Sequence, residues 1–353
     1  RLYFVAMTRA KRQLFLTYSR TDLNGKDTLV ASFLTGVNLQ PIVHRTPETV
    51  AQLTAQAQTA WHDRIIRKPT VSMKALLAPM LEQYKLSATH LNNFIDISHG
   101  GPQGFLMNNL LRFPQAKSAG ASFGTAIHAA LQRAHTHLSA TGERRPAEDV
   151  IGDFVRELHD QRLNIDEFNH YAKRGTDALS KFLHTEYDSF TPAQKAELNF
   201  ASQGVTLGDA RLTGSLDLVD INDNHIFVTD YKTGKPSTSW TGRGDYEKIK
   251  LHKYRQQLMF YQLLCQHSRD YASYEFDGAI LQFVEPDSHG NIHSLDQTFS
   301  TEELTQFAAL IAAVWRCIVT LELPDASDYS ADYKGILQFE KDLIAGTEAT
   351  AQD

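Results

Sequence analysis

Asp217, Asp230 and Lys232 are the residues of this 353-residue chain whose types and spacing could do chemistry. Two carboxylates 13 positions apart, with a lysine one intervening residue beyond the second, suit metal-dependent cleavage of a phosphodiester. Such a bond resists attack because its own negative charge repels hydroxide. A site for it must bring in divalent cations that neutralise the charge and lower the pKa of a bound water. Mg²⁺ takes oxygen ligands and keeps several of its waters, so a pair of carboxylates is a sufficient contribution from the protein.

These residues need a sheet to position them. Residues 218–221 and 225–229 read as strands, and Asn222-Asp223-Asn224 between them reads as a tight turn. The hairpin brings Asp217 and Asp230 toward one end of the sheet. Alternation along a strand then points Asp230 and Lys232 to one side and Tyr231 to the other. Taken alone, Asp230-Tyr231-Lys232 also reads as a surface turn, with Lys232 solvated and Gly234 supplying a positive φ.

Companion residues separate the two readings. Together with Gly124-Thr125-Ala126-Ile127-His128 upstream, Gln257-Leu258-Met259-Phe260-Tyr261 downstream and Glu197 before the first aspartate, the set resembles the PD-(D/E)xK nucleases. More narrowly, it is similar to the RecB-type branch at the C-terminal end of recombination helicase-nucleases. The resemblance implies that Asp217, Asp230 and His128 are metal ligands, joined by the backbone carbonyl of Tyr231, for Mg²⁺ or Mn²⁺. It implies that Lys232 orients the attacking water or stabilises charge on the phosphoryl oxygens. Gln257 and Tyr261, four apart on one helix face, then hold Lys232 or the DNA backbone, and Glu197 supplies an acidic group. His135 and His137 have no such context and read as ordinary helix residues.

The first residues carry a second resemblance. Arg1-Leu2-Tyr3-Phe4-Val5-Ala6-Met7-Thr8-Arg9-Ala10-Lys11, followed by Gln13-Leu14-Phe15-Leu16-Thr17-Tyr18, is similar to motif VI of UvrD/Rep-type superfamily 1 helicases. The likeness implies that Arg9 reaches the γ-phosphate of ATP in a full-length parent. The chain opens inside this motif without a Met, as a fragment would, and no phosphate-cradling Gly-x-x-x-x-Gly-Lys-Ser/Thr loop occurs in it. Thr233-Gly234-Lys235-Pro236-Ser237 lacks the upstream glycine. The motor is therefore expected upstream, and ATP hydrolysis is not expected of this chain.

Composition bounds the rest. With 42% hydrophobic residues the chain is long enough for one large domain with appendages. No apolar run in the sequence reads as a membrane span, and a cytoplasmic location is expected. The two cysteines, Cys265 and Cys317, exclude a disulfide scaffold and a thiolate zinc site. Some RecB-like relatives hold an iron-sulfur cluster on four cysteines. Here the upstream stretch Phe94-Ile95-Asp96-Ile97-Ser98-His99-Gly100-Gly101-Pro102 has none, so no cluster is expected and packing alone must close the fold there. The net charge of −6 is unusual for a DNA partner, but Lys232, Lys235, Arg243, Lys248, Lys250, Lys253 and Arg255 stand against only Asp245 and Glu247. That stretch is expected to line a DNA path, with Trp240 stacking on a base.

The expected architecture is α/β: a restriction-endonuclease-like mixed sheet flanked by helices, with an N-terminal helical connector and a remnant of a RecA-like helicase domain. Residues 1–35 end the motor, with a strand at 14–18 and a short helix at 29–34. Residues 36–85 form the connector, with helices at 50–66 and 72–83. Residues 86–323 form the nuclease domain and 324–353 a polar tail. Ser87 reads as the N-cap of a helix over 88–97. Further helices are expected at 122–139, 147–163, 166–187, 246–267 and 302–321. Strands are expected at 197–203, 205–210, 212–221, 225–232 and 275–285. The implied partners are DNA, single-stranded and fed by upstream motor domains, and a second subunit of a helicase-nuclease. The rival readings are a nuclease-like domain that only binds DNA and a translocase in which this domain is secondary.

Overall fold

The computed structural model describes residues 7–12, 14–16, 26–29, 52, 54–61 and 72–350. The chain divides into two compact units, Arg1–Thr70 and Val71–Asp353. In the first, residues 54–61 are helical, inside the helix expected at 50–66. Leu14, Phe15 and Leu16 form no strand, because an extended segment becomes one only when a neighbour takes its N–H and C=O groups. Leu29 is not helical; the rest of these two expected elements lies outside the described residues. A RecA-like remnant needs a parallel sheet covered by helices, and the described residues of this unit show none.

The second unit is built on a five-stranded sheet of β1 (Gln194–Asn199), β4 (Ser215–Asn222), β5 (His225–Lys232), β6 (Glu275–Phe283) and β7 (Ser294–Gln297), in the order β1-β4-β5-β6-β7. Only β5 and β6 run parallel, so the sheet is mixed as expected. A small hairpin, β2 (Thr206–Leu207) with β3 (Ala210–Arg211), stands apart. The β4–β5 turn is tight: Asn222 pairs with His225, and Asp223 takes φ 50°, a conformation aspartate tolerates better than most residues.

The helices are α1 (Met73–Glu82), α2 (Ala88–Ile95), α3 (Gly101–Phe105), α4 (Ala119–Thr141), α5 (Ala147–Asp160), α6 (Ile165–Glu186), α7 (Asp245–Gln266), α8 (Thr301–Thr320) and α9 (Tyr333–Thr350). Caps explain several starts. Ser87 Oγ accepts from His90 N as the sequence predicts, Asn164 fills the expected break before α6, and Ser300 with Glu303 forms a full capping box before α8.

Two apolar clusters cover the sheet. One gathers Leu77, Leu81, Phe94, Phe260, Phe283, Ile311 and Phe339 from α1, α2, α7, β6, α8 and α9. The other gathers Phe123, Ile127, Leu131, Phe154, Phe182 and Tyr231 from α4, α5, α6 and β5. The segment expected as a polar tail instead contains α9. Its Ile336, Phe339 and Leu343 are buried, and its Glu340 accepts from Gln256 and stands 2.8 Å from His252 Nε2. Charged residues flanking this short apolar stripe hid it from a compositional reading. α8 is long and apolar enough by composition to cross a membrane, but Leu310, Ile311, Val314 and Ile318 are spent on the protein core.

Candidate active site

A defect in the sheet organises the site. On β1 and β4, Ala196 pairs with Leu218 and Leu198 with Leu216, so Glu197 and Asp217 lie between the two pairs. Residues two apart on a strand ordinarily share a face. Here Leu218 and Ala196 join the α4 cluster, whereas Leu216 and Leu198 join the α7 cluster. Glu197 has φ 52°, a left-handed conformation that costs a non-glycine residue about 1–2 kcal/mol. That flip lets the pleat change sides.

The neighbouring ladder breaks at the same level. β4 and β5 pair from Asn222↔His225 to Leu218↔Thr229, and beyond this the Asp217 carboxylate, not its backbone, takes the Tyr231 N–H at 2.9 Å. Asp217 thereby enters the gap between diverging strands. His128 reaches it from α4, with Nδ1 3.3 Å from Asp217 Oδ2. Gly124 explains how α4 comes so close, since a Cβ there would stand 3.2 Å from Thr233 Oγ1 in the turn after Lys232. Ligand atoms of His128, Glu197 and Asp217 all lie within 4.8 Å of one another. His128 and Glu197 border an open cavity of about 500 Å³, also lined by Gly124, Thr125, Ala129 and Gln132.

Asp230 and Lys232 face α7. Asp230 is 1% exposed; its Oδ1 accepts from Tyr261 Oη at 2.9 Å and Gln257 Nε2 at 3.0 Å. Gln257 Oε1 in turn accepts from Lys232 Nζ at 2.7 Å, and Gln257 Nε2 also meets Tyr261 Oη. The ammonium rests 4.4 Å from the centre of the Tyr254 ring, a contact that stabilises a desolvated cation. Tyr231 points to the other face, as predicted, where its hydroxyl meets His135 Nε2 at 2.8 Å.

The charges are strained by burial. Burial and the nearby Asp217 carboxylate push the Asp230 carboxyl above its ordinary range, against the pull of Lys232. Burial works against a charged Lys232 too, but Asp230 outweighs it and holds the ammonium protonated. His128 follows the same logic: burial lowers its affinity for a proton, and hydrogen bonding and attraction to Asp217 raise it more.

This donor set fits a divalent cation. Asp230 Oδ2 is buried 2.7 Å from Lys232 Nζ and has no partner besides that ammonium among the described residues. The Asp230 carboxylate is buried and feels both the Asp217 carboxylate and the His128 imidazole. Oxygen with a single imidazole suits Mg²⁺ or Mn²⁺.

All the residues expected at the site of the second unit converge: His128, Glu197, Asp217, Asp230, Tyr231, Lys232, Gln257 and Tyr261. Arg9 lies in the first unit and is exposed. Sequence reading missed Tyr254, although Tyr254, Gln257 and Tyr261 follow an i, i+3, i+7 spacing that shares one helix face. It also missed Glu285, which accepts from the Gly234 N–H and pairs with Arg174 Nε at 2.6 Å, pinning the turn after Lys232 from an element over 50 residues away. No local pattern signals that. Trp240 does not present a free ring: its Nε1 donates to the Asp296 carbonyl at 2.8 Å and its ring packs on the core. In the basic stretch, Lys253 is paired with Asp96 and Arg255 with Glu303.

Comparison with curated proteins returns no match. Residues 85–332 match the family model of the PD-(D/E)XK nuclease superfamily, and the mixed sheet with flanking helices is consistent with that fold. The chain belongs to the PD-(D/E)XK nuclease superfamily, whose chemistry is phosphodiester hydrolysis.

Proposed function

We propose that this chain is the nuclease part of a RecB-like helicase-nuclease and hydrolyses phosphodiesters of single-stranded DNA in repair or recombination. The observation that carries the reading is the cluster of His128, Glu197 and Asp217 at the strand gap, together with the buried Asp230–Lys232 pair. His128, Asp217, Asp230 and the Tyr231 carbonyl would hold Mg²⁺ or Mn²⁺, with Glu197 beside them. When bound, the cation neutralises phosphate charge and lowers the pKa of water.

The protein's own groups do the rest. Lys232, fixed by Gln257 and Tyr254, offers a preorganised positive charge for the phosphoryl oxygens or a hydrogen bond that orients the attacking water. Gln257 and Tyr261 spend their hydrogen bonds on one oxygen of Asp230, which keeps the other turned to the site. Asp217, by capping the Tyr231 N–H, holds the strands apart so that a backbone phosphate can enter.

The helicase context rests on the likeness of residues 1–18 to motif VI. It extends the proposal to a parent with an ATP-driven motor, in which Arg9 contacts ATP, and to a cytoplasmic location. The test is incubation of the purified chain with end-labelled single- and double-stranded DNA in Mg²⁺ or EDTA. Cleavage that requires Mg²⁺ is expected. A folded chain that binds DNA and does not cut it would replace the proposal with a DNA-binding role.

A further inference from the structure

We infer that one face of α7 is the track on which single-stranded DNA reaches Lys232, with Tyr246 as its outermost base-stacking platform. The inference deepens the nuclease reading and rests on it for the identity of the strand.

Tyr246, Lys250 and Tyr254 are spaced i, i+4, i+8, and Gln257 and Tyr261 continue the same face toward the site. Exposure falls along this row, from 80% at Tyr246, through partly buried Lys250, Tyr254 and Gln257, to 4% at Tyr261. The row is therefore a ramp from solvent to the catalytic centre. About 12 Å of helix separates Tyr246 from Tyr254. The Tyr254 ring is already covered by Lys232. Tyr246 has its ring in solvent at the mouth.

Cations follow the aromatic rings. Lys250 Nζ lies over the Lys235 carbonyl at 3.4 Å, which brings Lys250 beside the loop that carries exposed Lys235. Glu247, which flanks this face, is turned toward the loop: it accepts from Ser237 Oγ and the Arg243 N–H, each at 3.0 Å. Elsewhere on the helix Lys253 and Arg255 are neutralised by Asp96 and Glu303. Lys250 and Lys235 form no direct ion pair among the described residues, which leaves two cations beside the aromatic row. Alternating rings and cations suit a strand whose bases are unstacked and whose phosphates are exposed, which a duplex does not offer.

Binding can be read without cleavage. In EDTA, anisotropy of a labelled oligothymidine is expected to give about 5- to 100-fold weaker binding to the full chain carrying Tyr246→Ala, the size of one lost base stack. Tyr246→Phe should bind as the unmutated chain does. An abasic strand of equal length should bind both forms alike, and Lys250→Met should weaken both strands and reduce the salt slope by about one. Unchanged oligothymidine binding in Tyr246→Ala, or an equal loss on the abasic strand, would overturn the track. The nuclease reading fails separately, by absence of Mg²⁺-dependent cleavage. Because Tyr246 is in solvent, the outcomes of its substitutions are not confounded by misfolding.

Discussion

Asp96 and Asp230 are both buried aspartates beside a lysine, 3% and 1% exposed, yet their surroundings push them in opposite directions. Burial opposes the charge of Asp96, but Lys253, Ser98 and His99 together outweigh it and hold the carboxyl below its ordinary range. Asp230 has Lys232, two neutral donors on one oxygen and a competing carboxylate in Asp217, and its carboxyl is held above that range. A buried charge whose oxygens are all matched is a tie between elements. A buried carboxylate that shares its one cation with a second carboxylate is a place where a divalent cation would be favoured. Asp96 also corrects the expectation that packing alone closes the upstream segment, because its tie to Lys253 fastens the end of α2 to the helix that carries Gln257.

The largest effect expected from this contrast is in Asp230→Asn, which should lower Mg²⁺-dependent cleavage by at least about 10²-fold. It should also lower the melting temperature, since it leaves the buried Lys232 ammonium without its counter-charge. Mg²⁺-dependent cleavage close to that of the unmutated chain would break the comparison.

His135 sharpens it with a buried base. Burial in the α4 cluster lowers its pKa to about 4, with its ring stacked on Phe190 at 3.8 Å. The unfolded chain takes up the proton first, so the stability His135 contributes is present above the ordinary histidine range. It is lost as pH falls toward 4, by about 3 kcal/mol at most. Urea titrations across that window should show a shallower acid limb in His135→Leu; an identical limb would refute the assignment.

Asp96→Asn is the mirror of the first experiment. It should destabilise by about 2–3 kcal/mol, short of a fully buried pair because Lys253 is 29% exposed, and the folded fraction should still cut DNA. Loss of cleavage without loss of stability would place Asp96 in the chemistry.

The smallest effect concerns backbone. Glu197→Gly should relieve the left-handed strain and stabilise relative to Glu197→Ala by about 1 kcal/mol, while both lose activity. If Ala were the more stable, the pleat reversal would not be strained at Glu197.

Much of this was legible. The hairpin of β4 and β5 was readable because a polar Asn222-Asp223-Asn224 turn separates two runs of alternating residues, and Ser87 because a serine before a helical pattern has one obvious use. Strand β7 is four residues long and α9 buries only a narrow stripe, so neither carries enough periodicity to be seen. The expected strand over 205–210 shrank to two residues, and 212–221 starts at Ser215, because pairing partners rather than propensity decide where a ladder exists. Trp240 reads as a platform because sequence shows a ring in a basic loop and not the Asp296 carbonyl that takes its N–H.

By itself the sequence determined which groups are available: two aspartates, a lysine, a histidine one helical turn beyond a glycine, and a glutamine and tyrosine four apart. Types and spacings along one chain are local facts, and helix and strand periodicity translate them into shared faces. Only the tertiary structure decided which charges are matched. Glu197 becomes a pivot because β1 and β4 change sides there, Asp230 keeps one oxygen for Lys232 because α7 spends its donors on the other one, and Lys253 is silenced by a residue 157 positions away. Such balances depend on burial and on partners brought from remote segments, which no window of sequence contains.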